Sequence, residues 1–191
     1  PGDMIDPRPF GFDAAIEFQP DGINLGRPLG TPEYKNNFVY EYEDLIKASL
    51  LKMNPAYLRF PCVCPSWDNS PRKQRNAVIF NNSSPELYKW WLGEVKKRVL
   101  ESHQEERILF INAFNEWGEG CHLEPDKKFG RSYLEATRMA LIGQDNDETA
   151  GLNDKNYIGQ KPSSRNFYEI SRYRTVDAKA STQPLVSIII P

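Results

Sequence analysis

The sequence predicts an α/β fold built from parallel βα units. Three observations carry that expectation. Short apolar runs alternate with longer segments of helical periodicity, the pattern of strands crossing over through helices. The run Arg107-Ile108-Leu109-Phe110-Ile111-Asn112-Ala113-Phe114 is apolar nearly throughout, as a strand covered on both faces must be. Loops rich in Asn, Asp, Gly and Trp come after the ends of the apolar runs, where parallel folds build their sites.

Phe12-Asp13-Ala14-Ala15-Ile16-Glu17-Phe18 reads as a first strand, closed by the turn residues Pro20-Asp21-Gly22. Asp13 and Glu17 lie on it. A carboxylate on a buried strand needs a partner or a job, whereas on a strand edge it needs neither. Glu41 to Met53 reads as a helix, with Leu45, Ile46, Leu50 and Met53 at helical spacing and Pro55 as the stop. Tyr57 to Cys64 is the next strand, with Pro61 marking a bulge or an edge. A polar loop comes after it, Pro65-Ser66-Trp67-Asp68-Asn69-Ser70-Pro71-Arg72.

Residues 84–101 form a second helix. Ser84 can cap it, Pro85 suits the first helical position, and Glu86 suits the positive end of the dipole. Leu87, Trp91, Val95 and Val99 make one stripe, widened by Trp90 and Leu92. After the strand 107–114 and the loop 115–126, a last helix spans about 130–141, with Gly143 able to close it. Residues 144–184 are polar and read as a linker. Leu185 to Ile190 reads as the first strand of a further domain, and both ends read as cuts through a longer polypeptide with further domains on each side.

The chain has 191 residues, with 24 basic and 26 acidic side chains and a net charge of −2. No basic block suggests nucleic acid or a polybasic membrane anchor. No apolar run approaches the ~20 residues of a membrane span, and no signal peptide is seen. Hydrophobic residues at 39% and charged residues at 26% suit a soluble globular fold. Cys62, Cys64 and Cys121 are a poor disulfide framework, and reduced thiols fit a cytoplasmic location, at most peripheral at the inner membrane. Cys121 and His122 lack a CxxC companion, so neither a metal nor a cofactor is expected.

Chemistry concentrates in Asn112-Ala113-Phe114-Asn115-Glu116-Trp117-Gly118-Glu119-Gly120-Cys121-His122-Leu123-Glu124-Pro125. A buried strand delivers three carboxylates into one loop, two of them at i and i+3. Handling a glycosidic bond needs one acid to protonate the leaving oxygen and a second carboxylate as base or nucleophile. Glu116 and Glu119 can supply both. The bland alternative is a polar surface loop leading into a helix.

Asn115-Glu116-Trp117-Gly118-Glu119-Gly120, Leu123-Glu124-Pro125-Asp126 and Tyr133-Leu134-Glu135-Ala136 together resemble the signature of the WbsX-type glycosyltransferase family, which is similar to glycoside hydrolase family 99. Residues 11–18 and 65–72 resemble it too, so the likeness covers about 8–142. It implies a (β/α)8 TIM-type barrel. Such a barrel takes ~250 residues, so 1–143 would be its C-terminal part, expected to be inactive alone. It implies that Glu116 deprotonates a sugar 2-hydroxyl and that Glu119 is the acid/base at the leaving oxygen. Family 99 hydrolases usually carry His where this chain has Gly118; WbsX-type members commonly have a small residue there. Pro184 to Pro191 resembles the opening strand of a glycosyltransferase family 2 domain. Together these imply bacterial surface-polysaccharide assembly (O-antigen or capsule), acting on a glycan or nucleotide-sugar.

Around the catalytic pair, Asn115, Asp68, Asn69 and Arg72 are candidate sugar contacts. Trp117 offers a flat face, and Trp67 is a stacking platform or a loop anchor. Asp13, Glu17, His122 and Glu124 are further candidates for the same cleft. The rival of a different class is a non-catalytic glycan-binding or scaffold barrel attached to a transferase.

Overall fold

The computed structural model describes residues 5–30, 36–73, 75–102 and 105–142, together with the backbone of 185–189. Gly143 and the expected linker 144–184 lie outside the described residues. The chain is a mixed α/β arrangement of short, mainly parallel strands and helices. In order these are β1 (Ala15–Ile16), β2 (Phe38–Glu41), α1 (Tyr42–Leu51), β3 (Arg59–Phe60), β4 (Cys62–Val63), β5 (Val78–Asn81), α2 (Pro85–Glu101), β6 (Ile108–Asn112), β7 (Asn115–Glu116), β8 (Cys121–His122), α3 (Ser132–Ile142) and β9 (Leu185–Ile189).

Pro61 divides the expected 57–64 strand in two. It has no N–H to give to a ladder. Before it, β3 pairs in parallel with β1, Ala15 opposite Arg59 and Ile16 opposite Phe60. After it, β4 pairs in parallel with β6, Cys62 opposite Phe110 and Val63 opposite Ile111. The Pro61 carbonyl still accepts from Phe110 N at 2.9 Å, so the break is local. On the other side of β6 lies β9, parallel from Ile108–Leu185 to Asn112–Ile189. A separate parallel ribbon joins β2 to β5. The apolar pattern did not predict either of its strands. β2 runs straight into α1 with no turn residue between them, and β5 is only four residues long.

The core lies between the helices and β4–β6. Val63, Leu109 and Ile111 face it from the strands, while Tyr42, Leu45 and Ile46 face it from α1. From α2 come Tyr88, Trp91, Leu92, Val95 and Val99, a stripe at helical spacing. Ser84 Oγ caps α2 by accepting from Leu87 N at 3.3 Å. Trp91 is fully buried and edge-on to Tyr42, so it is packing; each such side chain contributes roughly 1.5–3 kcal/mol. Trp90 points outward. Met53 does too: it lies past the end of α1 and is 85% exposed, outside the stripe expected of it. α3 docks on α2 through Tyr88 and Tyr133, whose rings are 5.7 Å apart, and through a Tyr88–Thr137 hydroxyl contact at 3.0 Å.

Only Ala15 and Ile16 of the expected first strand are laddered. Phe12, Ile16 and Phe18 around it are exposed, an apolar surface at the β1 end of the sheet. Among the described residues no helix is long and apolar enough to cross a membrane.

Candidate functional site

β6 carries the chain to Asn112, and the Asn112–Ala113 peptide is cis. Beyond it the backbone folds into a tight hairpin rather than an open loop. β7 and β8 are antiparallel, Asn115 opposite His122 and Glu116 opposite Cys121. A 3-10 turn, Trp117–Glu119, joins them. Both glutamates therefore sit on a fixed frame past the C-terminal end of a parallel strand.

Gly120 has φ +57°, a conformation that side-chain-bearing residues rarely adopt. A Cβ there would also stand 3.0 Å from the backbone of Asp68. Glycine thus lets the 65–72 loop lie directly on the hairpin. Asp68 N donates to Glu119 O at 2.7 Å and Ser66 Oγ to Gly120 O at 2.5 Å. At Gly118 a Cβ would stand 3.2 Å from Glu116 Oε1, so the Glu116 carboxylate leans over this position and uses the space.

Glu119 is buried, and the Arg72 guanidinium donates to its Oε1. The Arg72 side chain is itself 59% exposed, so the ion pair lies at the surface end of a buried acid. The loop that holds Arg72 is pinned by Asn69. Its Oδ1 accepts from Val78 N at 2.8 Å, and its carbonyl accepts from Arg72 N and Lys73 N. Asn69 is buried in this anchoring role. Asp68 Oδ1 accepts from Ser70 N at 2.9 Å and steadies the same turn.

The two tryptophans of the site behave differently. Trp67 is only 6% exposed, edge-on to Phe18, which is the loop-anchor alternative. Trp117 is 47% exposed. One of its faces is covered by the His122 ring, stacked at 3.7 Å, and its Nε1 donates to Glu124 Oε2 at 2.6 Å. His122 Nε2 lies 3.2 Å from Asp126 Oδ2. His122 and Glu124 thereby fix a Trp ring that stays about half exposed. Asn115 is exposed beside it.

Asp13 is exposed. Glu17 is buried and fully engaged: Lys52 Nζ is 2.9 Å from Oε1, and Cys62 N donates to Oε2 at 3.2 Å, just after the Pro61 break. Its burial required a partner, but no local pattern pointed to Lys52 as that partner. The three cysteines are buried and free. Burial pushes the Cys62 thiol up to about 12, and the Cys64 thiol up as well, so both stay protonated. Cys121 Sγ donates to Asn112 O at 2.7 Å, while His122 is turned to Asp126, so the two neighbours point at different partners.

A cleft of about 340 Å³ opens beside the 65–72 loop, lined by Tyr40, Trp67, Asn69, Lys73 and residues 20–26. Glu116 and Glu119 are not among its lining residues.

A family model described as Glycosyltransferase WbsX matches residues 3–137, which include the whole hairpin, the 65–72 loop and most of α3. The chain belongs to the WbsX glycosyltransferase family. It is 37% identical over 142 residues to the uncharacterized protein WxcX of Xanthomonas campestris pv. campestris strain B100. The match to WxcX of strain ATCC 33913 has the same identity and length. In each case 71% of this chain is covered and 20% of the relative, so the chain spans about a fifth of the length of the curated relatives it matches. No solved structure gives a significant match.

Proposed function

We propose that this chain carries the reacting carboxylates of a carbohydrate-active enzyme of bacterial surface-polysaccharide assembly, acting on a glycan or nucleotide-sugar. One observation carries the reading. A buried carboxylate, Glu119, is held in a rigid turn three residues after Glu116, beyond the end of a parallel strand. In this reading one carboxyl group protonates the departing glycosidic oxygen, and the other acts as base or nucleophile at the sugar. The roles implied by the family 99 likeness are Glu116 as base toward a 2-hydroxyl and Glu119 as acid/base. Trp117 supplies the face on which a pyranose ring stacks, and Asn115, Asp68 and Arg72 supply polar contacts at its rim.

The barrel reading is supported by the parallel pairing on either side of Pro61: β1 lies beside β3, and β4 beside β6. Consecutive parallel neighbours are what a (β/α)8 barrel requires. On this reading the remaining strands come from elsewhere in the polypeptide. The assignment of β9 to a glycosyltransferase family 2 domain and a cytoplasmic site of action belong to the same proposal.

The test is Glu119→Gln in the full-length protein. Turnover falls 10²- to 10⁴-fold, the usual contribution of a positioned acid or base, while glycan binding is kept. Unchanged polysaccharide assembly in a strain carrying only this variant overturns the enzyme and leaves a glycan-binding scaffold.

A further inference from the structure

Arg72 occupies an unusual place. Its guanidinium is on the solvent side of a buried carboxylate and more than half exposed. Lys73 and Arg75 come within the next three positions and are exposed as well. Among the described residues no carboxylate forms an ion pair with either of them. Of these three cations Arg72 alone meets Glu119, while Lys73 lines the neighbouring cleft. The titratable groups around Glu119 are Glu116 on its own hairpin, Asp68 and Arg72 on the facing loop, and Cys121 on the returning strand.

A carboxylate gripped by a guanidinium stays ionised and cannot donate a proton. For Glu119 to act at a leaving oxygen, Arg72 must be drawn off when substrate arrives. A planar guanidinium is drawn off best by two anionic oxygens on one centre, which it binds bidentately. We propose that Arg72 is a positioning residue for Glu119, and that an anionic group of the substrate, a phosphate or a sugar carboxylate, takes over its guanidinium. Substrate binding then frees Glu119 to take up a proton. The inference rests on the role given to Glu119 above for its meaning, but its test does not use turnover.

Titrate the full-length protein calorimetrically with inorganic pyrophosphate and, separately, with methyl glucuronide. At least one probe binds the wild type. Glu119→Gln tightens that probe about tenfold, because the carboxylate no longer competes; this is at the low end of the coupling usual between linked sites. Arg72→Met abolishes the tightening: in that background Glu119→Gln changes nothing. Arg72→Lys, which keeps the charge but loses the fork, binds more weakly than wild type and keeps part of the coupling. The probe that binds identifies the source of the anion. Independent, additive effects of the two substitutions, or failure of both probes to bind, overturn the proposal. Coupling with undiminished polysaccharide assembly in Glu119→Gln keeps the anion site and removes the catalytic reading.

Discussion

Two buried glutamates in this chain have opposite surroundings. Glu17 meets Lys52, itself largely buried, and the Cys62 N–H, so both of its oxygens are engaged from inside the fold. Glu119 meets one guanidinium, which comes from the surface and is more than half exposed. The first arrangement is a closed, structural one. The second gives the carboxylate a solvent-facing partner, which suits the reacting role proposed for it. Burial alone does not separate the two acids; the exposure of the counter-ion does.

The largest effect is expected at Glu17. Glu17→Ala takes the carboxylate away from Lys52 in a nearly dry position and costs about 3–5 kcal/mol, the usual penalty for removing one member of a buried pair. Urea denaturation of the full-length protein measures it; a loss below ~1 kcal/mol means the pair is solvated and the contrast with Glu119 fails. Gly120→Ala comes next. The left-handed backbone and the 3.0 Å approach to Asp68 together cost about 1–3 kcal/mol, and the hairpin parts from the 65–72 loop. A drop in melting temperature joined to loss of turnover is the expected pair of results. Arg72→Met has the smallest effect on stability. Its ion pair is exposed on the Arg72 side only, so its loss lowers stability less than the loss of Glu17 does, while anion binding is lost.

Helix α2 was readable from end to end because its signals are local: a capping Ser84, Pro85 at the first position, and a stripe with helical spacing. The Glu116–Glu119 segment was legible for a similar reason, since three carboxylates and two glycines fall within a few positions of one strand end. The features that escaped were set by distant partners. β2 and β5 are strands because they pair with each other, and neither carries a periodic pattern long enough to declare itself. Asp13 and Glu17 looked alike on one run, yet one faces water and the other an ammonium group from the end of α1. Trp67 and Trp117 looked equally suited to stack on sugar. Only the fold separates them, by burying one against Phe18 and leaving the other open.

Asn69 links these scales. Its amide oxygen takes a backbone N–H from β5, and its carbonyl receives the N–H groups of Arg72 and Lys73. The loop that carries the guanidinium is thus held from the β2–β5 ribbon as well as from the hairpin that bears the acids. On the proposed reading, sequence changes in that outlying ribbon retune the site while leaving Glu116 and Glu119 in place, so relatives with identical hairpins need not share a substrate.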